Sequence, residues 1–342
     1  MAVTLNEIAQ AAGVSRGTVD RALNNRGRIR PEVAEKIRKI ADEMGYTINV
    51  GGRALAMSGR HNVIGVILQF AETPFMQEVE KGILAAAEEL AQLGCEVSLR
   101  KISGNDPDTA VLHMKKMYKA HVRAIILVGR NDPLLRMEID ACEQDGIPVI
   151  TLNNDVSGSM RTCFVGQDAY RSGRVAAGVM GDILKGQGNI LIFYGLDSTN
   201  QSDRVSGFRE VLSRDFPEIN ILTIKRTGNS TRALREMARQ SLEDYRELDG
   251  IYLCAEGVRD LCDILAENSL SSSIRLIAHD VAGCRPEDIL SRTINYVIDD
   301  DGYGQGYQAL HLLSLWIFNQ KKPQESYYYS DIRIINGYNL PG

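Results

Sequence analysis

The run VIGVILQF, residues 63–70, divides the chain into two textures. It is almost unbroken apolar sequence, without the alternation of a half-exposed strand. Such a run is expected of a strand buried on both faces, as in a parallel sheet covered by helices. Downstream the pattern repeats. A helical stretch over 75–93 leads to CEVSLRKI, one over 107–120 to RAIILVG, and one over 133–145 to IPVITLN. TCFVG (162–166) opens a second series of NILIFYG, INILTIK, GIYLCA and IRLIAHD, with helical stretches between. TINYVI (293–298), a helix near 303–320 and YYYSDIRIING close the chain. Strand–helix alternation of this kind specifies α/β architecture, doubly wound parallel sheets with right-handed crossovers. About ten strands exceed one ordinary sheet, so two similar lobes are expected. Their expected division is 63–158 with 293–321, and 159–292 with 322–342.

Upstream of residue 63 there is no such strand. Leu5, Ile8 and Ala9 make the stripe of a short helix with Thr4 as its cap. SRGTVDRALN (15–24) reads as a second helix, with Ser15 as N-cap and Val19, Ala22 and Leu23 facing inward. Gly13 between them suits a left-handed turn position. A third helix starts at Pro31 and buries Val33, Ile37, Ile40, Ala41 and Met44, with Gly45 as a stop. This is an all-α helix-turn-helix head over 1–46, whose second helix would enter a DNA major groove. Arg26, Arg28 and Arg30 lie between its second and third helices, where they would meet phosphates. A linker over 47–62 carries Leu55 and Met57, apolar residues of the kind that wedge into minor-groove steps.

The charge follows the same division. The net charge of −5 alone argues against a nucleic-acid partner. Residues 1–60, however, hold ten Lys/Arg against six Asp/Glu, and the remaining 282 residues hold 29 against 38. A basic head on an acidic body fits a DNA reader carried by a domain that does not itself touch DNA. No apolar run is long enough for a membrane helix, and MAVTLNEIAQ is no secretory signal. Cys95, Cys142, Cys163, Cys254, Cys262 and Cys284 form no close pair, so reduced thiols in a cytoplasmic protein are expected, without disulfide, metal or cofactor.

Open parallel sheets bind ligands beyond the carboxyl ends of their strands. Polar residues cluster there: Gln69 and Thr73 after the first strand, Asn153, Asn154 and Asp155 after the fourth, then Asp197 to Arg204, Glu256, Asp280, and Asp299 to Asp301. Carboxylates, amides and an arginine suit paired hydrogen bonds to hydroxyls, as on a sugar. Phe70, Phe75 and Tyr194 offer stacking faces.

On VTLNEIAQAAGVSRGTVDRALN, RIRPEVAEKIRKIADEMGYTIN, the linker Arg53-Ala54-Leu55, DRVSGF (203–208) and the strand ending in Asp280, the whole chain resembles the LacI family of bacterial transcription regulators. The resemblance implies a periplasmic-binding-protein type I core, a homodimer on a near-palindromic double-stranded operator, and a small effector, carbohydrate in character, that alters DNA affinity. It places Arg16 and Gly17 as the base-reading pair, Arg21 later on the same helix, and Leu55 as the lever of the central minor-groove step. The full DNA-facing set expected is Thr4, Ser15, Arg16, Gly17, Thr18, Arg21, Asn24, Arg28 and Leu55. The effector set is Phe70, Phe75, Asn153, Asp155, Arg204, Glu256, Asp280 and Asp299. Asp20, where the family usually has serine, Gly17, Gly51 and Gly52 depart from the pattern, and Asp299 stands where many relatives carry glutamine. An enzyme reading lacks support: Gln69-Phe70-Ala71-Glu72 follows the first body strand without a dinucleotide fingerprint. An exported solute receptor would have no use for residues 1–60.

Overall fold

The structure, a computed structural model, describes residues 3–23, 29–44, 62–196, 199–319 and 321–341. The chain divides into two compact units, Met1–Arg60 with Ser314–Lys322, and His61–Leu313 with Pro323–Gly342.

In the head, α1 (Leu5–Ala12), α2 (Arg16–Leu23) and α3 (Pro31–Glu43) enclose Ile8, Ala9, Ala12, Val19, Ala22, Ala34, Ile37 and Ala41. Thr4 caps α1 in a reciprocal box with Glu7, which satisfies two backbone donors at once. Gly13 sits at φ 70° and its N–H reaches the carbonyls of Ala9 and Gln10. A Cβ there would meet nothing within 4 Å, so backbone conformation, not space, demands glycine.

The body starts at β1 (Val63–Leu68), every residue of which is buried. There follow α4 (Pro74–Ala91), β2 (Glu96–Lys101), α5 (Pro107–Lys119), β3 (Ala124–Val128), α6 (Pro133–Gln144), β4 (Val149–Leu152) and β5 (Cys163–Gly166). Then come α7 (Ala169–Ile183), β6 (Gln187–Tyr194), α8 (Thr199–Asp215), β7 (Glu218–Arg226), α9 (Thr231–Asp244), β8 (Gly250–Cys254), α10 (Val258–Glu267) and β9 (Arg275–His279). The chain ends through α11 (Pro286–Leu290), β10 (Tyr296–Asp299), α12 (Gly302–Asn319), β11 (Tyr327–Tyr329) and β12 (Arg333–Ile335). Turn chemistry sets many helix starts. Thr73, Asp106 and Asp132 each cap a helix that has proline in its first turn, and Asp168 and Ser230 cap α7 and α9.

The strands form two six-stranded sheets, β11-β5-β4-β3-β1-β2 and β12-β10-β9-β8-β6-β7. All pairings are parallel except β12 against β10. The two lobes are therefore as expected in kind, but their borders differ from the expected division. TCFVG closes the first sheet as β5 instead of opening the second, and TINYVI belongs to the second sheet as β10. The last strand pair is split, β11 going to the first sheet and β12 to the second. Strand periodicity marks a strand as buried without saying which sheet it joins, so the order of alternation alone misassigned these pieces.

The chain thus crosses between lobes after β5, after β10 and after β11. Gln167, 4% exposed, stitches the crossings together: its Nε2 donates to the carbonyls of Asp299 at 3.0 Å and Asp331 at 3.3 Å. Ser330 adds a bond from its Oγ to the Asp300 carbonyl at 3.1 Å. Among the described residues, no helix is long and apolar enough to cross a membrane.

Candidate functional site

The carboxyl ends of both sheets face a common cleft. Two recesses of about 250 and 80 Å³ lie in it and share Phe75, Gln201, Arg204, Glu256 and Asp280. The first lobe supplies Phe70, Thr73, Phe75, Met76, Asn153 and Asn154. The second supplies Gln201 and Arg204 from α8, Glu256 after β8, His279 and Asp280 at the end of β9, and Asp300 after β10. The Asn200 amide donates across the cleft to the Asn153 carbonyl.

Backbone geometry aims several of these groups. Phe70, Asn153, Asn229 and Asp280 have φ of 55°, 63°, 54° and 63°. Asparagine and aspartate tolerate this left-handed region, but an aromatic residue there is an outlier. Phe70 is held in it by its N–H on the Gly104 carbonyl at 2.8 Å and its own carbonyl under the Thr73 N–H at 2.9 Å. Non-glycine residues held in such conformations concentrate at ligand sites.

The second wall is built on a buried polar network. Arg204 and Asp300, 6% and 2% exposed, form an ion pair. Burial pulls the Arg204 pKa down, but the Asp300 and Asp280 carboxylates outweigh it and the net direction is up. Burial is the strongest single influence on Asp300 and drives its pKa up, but Arg204 and His279 together outweigh it, so the net direction is down and Asp300 stays ionised. Asp280 goes the other way: burial and the neighbouring Asp300 charge raise its pKa well above the ordinary carboxylate value. Burial, then the charge of Arg204, lowers His279 to about 4, leaving a neutral imidazole. Its Nε2 lies 2.8 Å from the Tyr252 hydroxyl, and its Nδ1 is 3.8 Å from Asp300. The Tyr252 ring stacks on Phe208 at 4.2 Å, fixing that hydroxyl. Arg204 Nε, His279 Nδ1, Asp280 Oδ1 and Asp300 Oδ1 are buried without partners. Native structures rarely leave such atoms unmet, and a ligand with several hydroxyls would meet them.

Of the eight effector residues expected from the sequence, Phe70, Phe75, Asn153, Arg204, Glu256 and Asp280 line the cleft. Asp155 and Asp299 do not. Asp155 receives Arg161 Nε at 2.5 Å and Nη2 at 2.7 Å, plus the Thr151 hydroxyl at 2.9 Å. Asp299 receives Arg333 at 2.5 Å and the Val281 N–H at 3.4 Å. Gln69 is buried too, bonded to the Asp106 carbonyl and the Arg130 N–H. Gln201 and Asp300 fall inside the expected polar stretches 197–204 and 299–301 but not in the effector set, and His279 is outside both, while Tyr252, in the middle of β8, carries no sequence signal of its own. For Gln201, Asp300 and His279 the one sequence signal was position, at strand ends or in the helix after β6.

In the head, Arg16, Gly17 and Arg21 are exposed on α2. Arg21 Nε folds back on the Gly17 carbonyl at 3.0 Å. Ser15 Oγ accepts the Thr18 N–H at 3.2 Å and lies 2.9 Å from the Thr18 hydroxyl. Thr4 is exposed and engaged with Glu7. Asn24, Arg28, Leu55 and most of the linker lie outside the described residues.

Two family descriptions match the chain: the lacI family of bacterial regulatory proteins over residues 4–49, and a periplasmic binding protein domain over 64–320. Among curated relatives, it is 30% identical over 282 residues to the HTH-type transcriptional regulator GntR of Pseudomonas aeruginosa, covering 80% of this chain and 75% of that one. It is 30% identical over 250 residues to the HTH-type transcriptional regulator DegA of Bacillus subtilis, with 71% and 70% covered. It is 25% identical over 287 residues to the sucrose operon repressor of Pediococcus pentosaceus, with 81% of each covered. Among solved structures, an arabinose binding protein from Geobacillus stearothermophilus shares the fold at TM-score 0.70 and 22% identity, covering 81% of this chain and 98% of that one. A sugar-binding protein of an ABC transporter from Bacillus halodurans does so at 0.71 and 21%, with the same coverage.

Proposed function

This chain belongs to the lacI family of bacterial regulatory proteins, and from that premise we propose that it is a repressor switched by a small carbohydrate-class effector bound between its lobes. As a family member it is a DNA-binding transcriptional regulator and not an enzyme. The observation that carries the effector reading is the cleft. Aromatic and amide groups stand on one wall, and buried carboxyls and a guanidinium with unmet hydrogen-bonding atoms stand on the other. That combination suits a ligand with apolar faces and a rim of hydroxyls. The names of the relatives, one a sucrose operon repressor, support the same class.

The switch follows from the architecture. A ligand that contacts both walls favours the closed arrangement of the lobes, which pivot about the three crossings tied by Gln167. One head offers too little interface for specific binding, so a homodimer presenting two heads to a near-palindromic operator is part of the proposal. Arg16, exposed at the start of α2, is assigned to guanine O6 and N7, a contact worth about 1–3 kcal/mol of discrimination. By linkage, operator and effector must alter each other's affinity by the same factor.

The test is selection of duplexes from a randomised pool by the full chain at low salt, followed by titration of the selected duplex with monosaccharides and disaccharides. A symmetric consensus whose affinity falls steeply with salt, and falls again with one sugar, is the expected result. In that assay Arg16→Ala should relax the consensus while changing the salt dependence little. Enrichment of no duplex, or indifference to every sugar, would defeat the reading.

A further inference from the structure

We propose that the cleft is a charge filter: it accepts neutral sugars and amino sugars and rejects their phosphate esters and uronic acids. The inference rests on the carbohydrate reading above and adds the charge class of the ligand.

Most charges lining the cleft are already engaged within the protein. Among the described residues lining the two recesses, the cationic side chains are Arg204 and Arg259. Arg204 is neutralised by its buried pairing with Asp300. Arg259 keeps its charge, but it is exposed, where solvent screens it, lines only the larger recess, and holds its Nε on the Gly283 carbonyl at 3.0 Å. His279, uncharged near neutrality, adds no positive charge. On the acidic side, Asp260 is engaged by Arg235 at 2.7 Å. Glu256 and Asp280 remain, both on the wall common to the two recesses.

Two independent observations show that this wall waits for donors. Asp280 Oδ1 is buried and has no partner. Asp300 Oδ1, on a residue 2% exposed that lines the smaller recess, likewise makes no hydrogen bond, with His279 Nδ1 the nearest facing group at 3.8 Å. An anionic ligand supplies acceptors and no donor at its charged end, so it would leave the Asp300 oxygen unmet and be repelled by the ionised Asp300, while Asp280, whose pKa is raised, offers at most one donor of its own. Hydroxyls supply donors, and an ammonium supplies three. The pKa values of Glu256 and Asp280 both run upward, first from burial and then from neighbouring carboxylates, Glu72 beside Glu256 and Asp300 beside Asp280. One feature of the wall favours an anion: the start of α10, where Gly257 provides no side-chain cap. Asp260, in the first turn of that helix, already answers its dipole.

The experiment is isothermal titration and thermal shift on the full chain with matched sets: glucose, glucosamine, glucose 6-phosphate and glucuronic acid, and the corresponding galactose, mannose and fructose forms that exist. Within the set that binds, the neutral or amino form should bind at least tenfold more tightly than the phosphate and the acid. Glu256→Gln, which keeps shape and removes one charge, should narrow that ratio several-fold by improving the anionic members. A phosphate or uronate that binds more tightly than its neutral parent overturns the filter while leaving the carbohydrate reading intact. Silence from every member defeats the carbohydrate reading and the filter with it. An unchanged ratio in the folded Glu256→Gln protein removes Glu256 from the filter and refutes its mechanism.

Discussion

The two lobes are near twins in topology and opposites in chemistry. Each is a six-stranded sheet with its parallel strands ending at the cleft. Yet the first lobe brings aromatic rings and amides and, among the described residues, no charged group to that edge, and the second adds to amides of its own an arginine, acids and a histidine. The first lobe's charges are not absent; they are spent locally. Asp155 clasps Arg161, Asp132 clasps Arg130, and Asp106 caps α5. The second lobe holds its charges against one another in a buried network with unmet atoms. Ligand recognition therefore divides by lobe: the second lobe supplies directional bonds, and the first supplies a face that closes over the ligand.

The largest test of that division is Arg204→Ala. Removing one partner of a buried pair strands the other charge, and about 3–5 kcal/mol of stability should go with it. Ligand binding should vanish as well. Stability and recognition can then be pulled apart. Replacing both partners, Arg204→Met with Asp300→Leu, should recover most of the stability, because well-packed apolar groups often substitute for a buried pair at no net cost. Denaturant unfolding of the two variants against the parent decides it. Ligand binding by the double variant would break the assignment of the directional wall to this pair.

The next effect is one of pH. His279 has a folded pKa of about 4, below its ordinary 6.5. Between those values the unfolded chain binds more protons than the folded one, so stability rises with pH across the window. The contribution is fully present above about 6.5 and is lost as the pH falls toward 4, to an extent of up to roughly 3 kcal/mol. His279→Gln, able to keep a bond to Tyr252, should flatten that slope. Asp280 has the opposite sign: its pKa is raised on folding, so its contribution weakens as pH rises above the ordinary carboxylate range. A bound donor should relieve this second cost. Stability curves from pH 4 to 8 with and without sugar should therefore diverge most at the neutral end, and a parallel pair of curves would place the ligand away from Asp280.

A smaller effect concerns the helices that carry the second wall. A Cβ on Gly173 of α7 would collide with the Arg204 carbonyl of α8, whereas one on Gly178 of the same helix would meet nothing within 4 Å. Gly173→Ala should cost about 1–3 kcal/mol as an overpacking change and weaken ligand binding by displacing α8. Gly178→Ala should gain up to about 1 kcal/mol, because alanine is the better helix residue and no neighbour has to move. Thermal unfolding and titration of both variants give the comparison. Equal behaviour would show that the close approach of the two helices does not position Arg204.

The head and the alternation of the body were legible because each rests on local rules: caps, a glycine turn, and apolar runs of strand length. Pro31 marked the start of α3, as it does in the structure. Sheet membership was not legible. β5 and β10 look like any buried strand and join the sheet of the strand just before them, which no local pattern announces, while β11, an exposed edge strand, is assigned by pairing with β5 far back in the chain. The site divided in the same way. Strand-end position found Phe70, Asn153, Glu256 and Asp280, since topology sends those ends to the cleft. It could not say which of three consecutive aspartates, 299 to 301, would face inward. Nor could it show that Asp155 would meet Arg161 six residues on.

The smallest prediction settles that register. Successive residues at a strand end point to opposite faces, so one position separates a buried wall from a surface pair. Asp299 faces Arg333 of β12, which is 45% exposed, while Asp300 turns to Arg204. Asp299 is itself largely buried, but its partner is half exposed, so the pair is partly screened and contributes about 1 kcal/mol. Asp299→Asn should therefore change stability by no more than that and leave sugar affinity within twofold. Asp300→Asn should weaken sugar binding severely, because it frees Arg204 from the geometry that orients it. Titration of the two variants side by side is decisive: a larger loss from Asp299→Asn would mean that the inward face of this strand end had been assigned to the wrong residue.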